Sequence, residues 1–310
     1  MRPLLFAILF GTINFASAQT AEDYFQKAKD AFEAEAYKDV LGFVDAAIEL
    51  DPLKADYYLF KASFLALAGF TQESLTVYNT ALSRLPNEAI LNTGRGNLLL
   101  LLEQYTPAIR DFSIAIELAT ADSIKYQALG QRGVAKLNIR DLDGAYRDLL
   151  QCLAYDSVDL AVLTNLANTC DELGKGSEAF NYLNKMIAID SNYFPAYVNL
   201  GFYYQRIEEH ELAIEVLNKA LEISPKEPYA FSNRSYNKLK LGDIRGAKKD
   251  IETSLKLDPE NSYAYKHRAL IHLETGDREK ACEDLQTALD KGFTSLYGED
   301  VNELRKEHCR

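Results

Sequence analysis

What this sequence most plainly lacks is a reactive motif. Its 310 residues hold only four histidines (His210, His267, His272 and His308) and four cysteines. No H-E-x-x-H, C-x-x-C, G-x-S-x-G, phosphate-loop or dinucleotide glycine pattern occurs. His267 and His272 are five apart, on different faces of a helix, and so do not make a metal pair. Carboxylates are abundant but scattered along amphipathic stretches, where solvation accounts for them. The expectation is a non-catalytic protein with no metal and no cofactor. Basic runs are missing too: 46 acidic against 34 basic side chains leave a net charge of −12. Such an excess of acid repels phosphate, so no nucleic-acid partner is expected and anionic lipid surfaces are poor candidates.

Long apolar stretches are confined to the beginning. Arg2, the mostly apolar run Leu4 to Phe15, and the small residues Ala16-Ser17-Ala18 have the order of an export leader cleaved after Ala18. The run is shorter than the roughly 20 residues that span a bilayer. Gln19 rather than cysteine follows, which argues against a lipid anchor. Further on, no apolar run exceeds the five leucines Leu98 to Leu102, so no transmembrane segment is expected. The reading is an exported protein, periplasmic or secreted.

The eight prolines reveal the organisation. Pro52 and Pro86 are 34 apart, as are Pro225 and Pro259. Rows of 34 residues then cover 21–54, 55–88, 89–122, 126–159, 160–193, 194–227, 228–261 and 262–295, with three surplus residues between the third and fourth. Position 8 is small in every row: Ala28, Ala62, Gly96, Gly133, Ala167, Gly201, Ser235 and Ala269. Positions 20 and 27 are small in nearly all, as in Ala108, Ala145, Ala213, Ala115 and Ala220. Small side chains at fixed points let two helices approach closely. Position 4 is bulky in seven rows, with Asn92 the exception. Gly69, Gly174, Gly242 and Gly276 fall at position 15, where a left-handed residue ends a helix, and Asp243 and Asp277 follow as caps for the next one. Pro107, Pro195 and Pro228 open helices. Each row is a helix, a short turn and a second helix, and a fixed period of this kind signals a stacked array.

On these residues the chain resembles the tetratricopeptide repeat family. The row Tyr197-Val198-Asn199-Leu200-Gly201, Ala213-Ile214 and Ala220-Leu221-Glu222-Ile223-Ser224-Pro225 carries the likeness best. The resemblance covers roughly residues 21–295 and implies an all-α, right-handed superhelical solenoid of about eight repeats. It also implies a protein–protein interaction scaffold, here similar to exported bacterial members. Relatives that clamp C-terminal carboxylates carry lysine and arginine at set positions; Thr164 and Tyr229 stand there instead, which disfavours that ligand.

Arginine occupies position 7 in four rows (Arg95, Arg132, Arg234, Arg268), and those same rows carry aspartate at position 23 (Asp111, Asp148, Asp250, Asp284). Rows five and six have Leu166 and Leu200 opposite Tyr182 and Val216. This covariation within one chain points to structural ion pairs between the two helices of a repeat.

A repeat array needs a terminal cap with a polar outer face. Residues 297–309 read as a last helix docked on the eighth repeat, with Cys282 and Cys309 joined as its staple; the ending is similar to that of exported repeat proteins. Cys152, in a position elsewhere held by alanine, reads as a small buried thiol, and a Cys152–Cys170 bond stays open as the alternative.

First helices are expected to line the concave surface of such a stack. Asn165, Asn199 and Asn233 recur there every 34 residues, and a side-chain amide can both donate to and accept from an extended peptide. Asn168, Phe202, Arg206, Tyr229, Tyr236, Lys240, Tyr263, Lys266 and His267 share that surface. The expected function is a scaffold receiving a peptide segment or partner protein in the groove of repeats five to eight. The alternative is a structural subunit of a cell-envelope assembly that uses its convex face or ends. Partner identity and oligomeric state are left open.

Overall fold

The computed structural model describes residues 19–294 and 298–309; the leader reading and Tyr297 lie outside them. Among the described residues there are seventeen helices and no strands. Contacts divide the chain into two units between Ala135 and Lys136.

The first unit stacks three antiparallel pairs: α1 (Ala21–Glu33) on α2 (Tyr37–Leu50), α3 (Ala55–Leu67) on α4 (Thr71–Arg84), and α5 (Ala89–Leu101) on α6 (Tyr105–Leu118). The unit boundary falls within α7 (Asp122–Asn138). The second unit continues with α8 (Leu142–Tyr155), α9 (Leu160–Glu172) and α10 (Gly176–Ile189). Then follow α11 (Phe194–Arg206), α12 (His210–Ile223), α13 (Pro228–Lys240), α14 (Ile244–Leu257), α15 (Ser262–Glu274) and α16 (Arg278–Asp290). A last helix, α17 (Asp300–His308), packs on α16. Each unit is therefore a run of helical-hairpin solenoid.

Seven first helices begin on the first residue of their 34-residue row. The fourth is the exception: α7 starts at Asp122, not Tyr126, because the surplus residues are helical and add a turn to its N-terminus. All residues at positions 8, 20 and 27 are buried. At two of them the room is minimal. A Cβ on Gly96 would lie 2.7 Å from the Phe112 ring, and one on Gly201 would lie 2.6 Å from Leu217 Cγ. Where serine replaces alanine at a crossing, its hydroxyl donates to the facing carbonyl: Ser74 to Ala62 at 2.7 Å and Ser235 to Ala247 at 2.8 Å. The polar atom is satisfied without widening the crossing.

Position 15 is left-handed in all eight repeats, whether or not it is glycine. Glu35, Glu103, Arg140 and Glu208 have φ between 57° and 65°, beside the four glycines. In each repeat the next amide reaches back five residues, as in Gln104 to Leu99 at 2.8 Å and Glu209 to Tyr204 at 3.0 Å, and satisfies an end carbonyl. A Cβ in this region costs roughly 1–2 kcal/mol, of which glycine's extra freedom in the unfolded chain returns part. Neither Glu103 nor Glu208 makes a side-chain bond with a described residue. Glu103→Gly and Glu208→Gly are each expected to stabilise by about 1 kcal/mol, additively, read as raised urea midpoints.

Three of the four pairs at positions 7 and 23 are seen as salt bridges, and in the fourth repeat Asp148 accepts from Lys136 Nζ at 2.8 Å. Arg95 grips Asp111 at 2.7 and 2.8 Å, Arg234 grips Asp250 at 2.7 and 2.8 Å, and Arg268 grips Asp284 at 2.8 and 2.6 Å. The same guanidinium also reaches the preceding repeat: Arg95 to Asn79 at 2.9 Å, Arg132 to Ser113 at 2.9 Å and Arg234 to Asn218 at 2.7 Å. These arginines therefore tie neighbouring hairpins together as well as the two helices of one.

At the C-terminus, Phe293 and Val301 are fully buried against Ala281, Leu285 and Ala288, and Cys282 is bonded to Cys309. Cys152 and Cys170 are buried thiols outside any disulfide, so the alternative second bond is not made. Burial pushes the Cys152 thiol up to about 12 and the Cys170 thiol up to about 11, which keeps both protonated and unreactive.

Candidate functional site

The second unit carries a groove of about 930 Å³ along the first helices α9, α11, α13 and α15, closed at one end by Thr294, Gly298 and Asp300. Apolar periodicity fixes which residues face it. The inner sides of these helices pack on their partners, and the outer sides leave Asn168, Asn199, Phe202, Tyr229, Asn233 and Tyr263 on the groove wall. A second depression of about 320 Å³ lies between α13, α15 and α17, lined by Tyr236, Lys240, Tyr263, Lys266 and His267. Ten of the twelve expected contacts thus divide between two places that share Tyr263. Asn165 and Arg206 line neither.

The expected asparagine ladder does not stay in register. Asn199 Nδ2 donates to Asn168 Oδ1 at 3.2 Å, which links repeats five and six. Asn165 is half-buried, and its carbonyl accepts from the Thr169 hydroxyl at 2.6 Å. Asn233 is only 7% exposed, and its side-chain amide bonds to no described residue. Of the three, it alone lines the groove with no side-chain bond to a described residue.

Cations meant for a ligand are held by the protein. Arg206 is bound to the carboxylate and carbonyl of Asp171, and Arg140 to Glu172. Lys266 bridges to Asp300 of α17 at 2.5 Å and lies over the Tyr263 and Phe293 rings. Lys240 lies 5.4 Å from the Tyr236 ring centroid.

His267 differs most from its sequence reading. It is 1% exposed, not available as a surface contact, because the rings of Tyr236 and Tyr263 cover it at 4.9 and 4.6 Å. Its Nδ1 meets the Ser232 carbonyl at 3.0 Å. Burial, with the nearby Lys266 charge, lowers its pKa to about 3. The unfolded histidine takes up a proton below about pH 6.5, which the folded one refuses, so stability is complete above that pH and falls as pH drops towards 3. The slope is about 1.4 kcal/mol per pH unit. Between pH 6.5 and 5 about 2 kcal/mol should be lost, and His267→Gln should remove that part of the loss in paired urea titrations.

The carboxylates on the wall were not singled out from the sequence. Asp171 and Glu172 end α9, Glu227 precedes Pro228 and caps α13 through the Tyr229 amide at 3.2 Å, and Asp300 arrives from α17. Burial, with the nearby Asp258 charge, raises the Glu227 pKa. No cation is paired with it among the described residues.

These features define a class first: an all-α helical-repeat protein with a groove on stacked first helices. Tetratricopeptide-repeat models match residues 194–227 and 233–292. The chain is a tetratricopeptide-repeat protein. No curated protein matches its sequence. Among solved structures it is similar to a tetratricopeptide repeat protein from Parabacteroides merdae ATCC 43184, with a TM-score of 0.63 and 15% identity over 94% of this chain and 100% of that one. It is also similar to YrrB, described as having an unusual peptide-binding site (0.53, 22%, 60% and 95%). A third is PilW, described as a widely conserved type IV pilus biogenesis factor (0.59, 18%, 69% and 98%). Identities this low establish the shared fold. Tetratricopeptide-repeat proteins are interaction scaffolds in general, and no described helix is long and apolar enough to cross a membrane.

Proposed function

We propose that this is an exported, non-catalytic scaffold whose second unit receives a peptide segment of a partner protein in the groove of α9, α11, α13 and α15. The observation that carries the reading is Asn233. The residue is only 7% exposed, yet its amide opens on a groove walled by Phe202, Tyr229 and Tyr263 and bonds to no described residue, so its donor and acceptor are both open to a ligand. An extended backbone supplies both the acceptor and the donor that such an amide needs. Export is supported by the leader pattern of residues 1–18 and by the Cys282–Cys309 bond, which belongs to an oxidising compartment.

The test is to fill the groove. Asn168 is exposed on its wall, and Asn168→Trp adds an indole there without disturbing a helix crossing. Capture from an envelope extract should lose its specific partner with this variant and with Asn233→Leu, while helical content is unchanged. Partner recovery indifferent to both would reject groove binding and favour the convex face or ends, as in a structural subunit of an envelope assembly.

A further inference from the structure

The groove's charge specifies more than a peptide. Its wall holds four carboxylates, Asp171, Glu172, Glu227 and Asp300, and one cation, Arg140. Three of the four already have a cation from the protein: Asp171 has Arg206, Glu172 has Arg140, and Asp300 has Lys266. Glu227 has none. Its Oε1 accepts the Tyr229 amide, and the Tyr229 ring, 43% exposed, stands beside it on the same wall.

Resting on the groove reading, we infer that the bound segment carries a lysine or arginine beside a large apolar or aromatic residue, with its cation received by Glu227 and the face of Tyr229. A half-buried carboxylate lacking a counter-charge gains from a charge-assisted bond. An adjacent phenol ring adds attraction for the same cation. Phe202 and Tyr263, whose ring centroids lie 6.3 Å apart edge to face, offer an apolar seat for the neighbouring side chain. Asn233 holds the segment's backbone between them. An acidic segment would meet carboxylates along the wall with no free cation to receive it, which makes the site selective by repulsion as well as attraction.

The probe is a random dodecapeptide phage library panned on the oxidised protein lacking its leader, with enriched sequences resynthesised and titrated by fluorescence anisotropy. Enriched peptides should carry Lys or Arg next to Phe, Tyr, Leu or Met. Glu227→Gln should weaken them about tenfold, and Tyr229→Leu severalfold. Peptides with the cation replaced by norleucine should bind the wild type and Glu227→Gln alike. Glu227→Lys should transfer preference to peptides bearing Glu at that place. Enriched peptides that are neutral or acidic, yet lose binding in Asn168→Trp, would overturn the cation assignment and leave the groove reading standing. Absence of any peptide sensitive to Asn168→Trp would overturn both. Circular dichroism of each variant separates loss of binding from loss of fold.

Discussion

Asp250→Ala should cost about 3 kcal/mol of stability, centred on the hairpin of α13 and α14. The carboxylate is 3% exposed and accepts three bonds: two from Arg234 and one from Lys238 Nζ at 2.8 Å. Both cations are themselves mostly buried, with side chains 17% and 22% exposed. Truncating the aspartate leaves two positive charges facing each other with no counter-charge, and that desolvation exceeds any methylene lost. The same change at Asp111, which the structure pairs with Arg95 alone, strands one cation and should cost less. The repeats themselves supply the control. Repeats five and six place buried Leu166 and Leu200 where Arg234 stands, so the architecture accepts an apolar pair. Arg234→Leu and Lys238→Met added to Asp250→Ala should therefore recover most of the loss, since replacing a whole buried ion cluster is often neutral. Urea titrations followed by far-UV circular dichroism give the comparison. A single-variant loss below about 1 kcal/mol would mean that these pairs behave as exposed ones.

The crossings were legible in the sequence because they depend on volume. A position held by Gly, Ala, Ser or Cys in nearly every row repeats visibly at 34, and the structure buries every residue at these positions from Ala28 to Ala288, Val40 and Met186 included. Charge at positions 7 and 23 was legible for a related reason: Arg and Asp appear together, and Leu appears with Tyr or Val. The left-handed turn at Glu35, Glu103, Arg140 and Glu208 was not legible. There, the hydrogen bonds of the helix end and the stacking of the next helix hold a conformation for which the residue has no preference. The extra turn of α7 escaped likewise, since a row count places an insertion but not its conformation.

The site was legible in outline only. Helical spacing put Asn168, Phe202, Tyr229 and Tyr263 on one surface, and the groove wall holds all four. Spacing alone could not show that Tyr236 and Tyr263 cover His267, because that depends on how far two rings from neighbouring repeats lean towards each other. Nor could it show that Arg206 and Lys266 are already bound to Asp171 and Asp300. Asp171 reaches Arg206 from the end of the preceding repeat's first helix, a contact that depends on how closely two repeats approach, and Asp300 comes from α17, outside the repeat rows. Glu227 was hidden by its role as a cap, which explains its place before Pro228 without revealing that its second oxygen is unengaged.

Breaking the Cys282–Cys309 bond should cost about 3–4 kcal/mol, and the loss should be confined to the end of the array. The residues are 27 apart, and closing a loop of that size removes that much from the entropy of the unfolded chain on the loop-entropy account. What else holds the closing segment is modest. Phe293 and Val301 bury against α16, Lys266 bridges to Asp300, and Arg278 bonds the His308 carbonyl. Without the covalent tie, α17 should open in preference to the hairpins before it, because a terminal element of a stacked array has one neighbour and an internal one has two. Cys282→Ser, Cys309→Ser and dithiothreitol should therefore give the same result. Amide exchange should accelerate most in α17, less in α15 and α16, and stay unchanged in α1 to α6. Because Thr294, Gly298 and Asp300 close one end of the groove, peptides that reach Tyr263 should dissociate faster from the reduced protein, while contacts at Asn168 are unaffected. Cys152 and Cys170 do not confuse the measurement: buried and protonated, they should react with thiol reagents only in denaturant, giving two thiols before reduction and four after. A melting curve and exchange pattern indifferent to reductant would show that apolar docking of α17 holds the end of the array by itself.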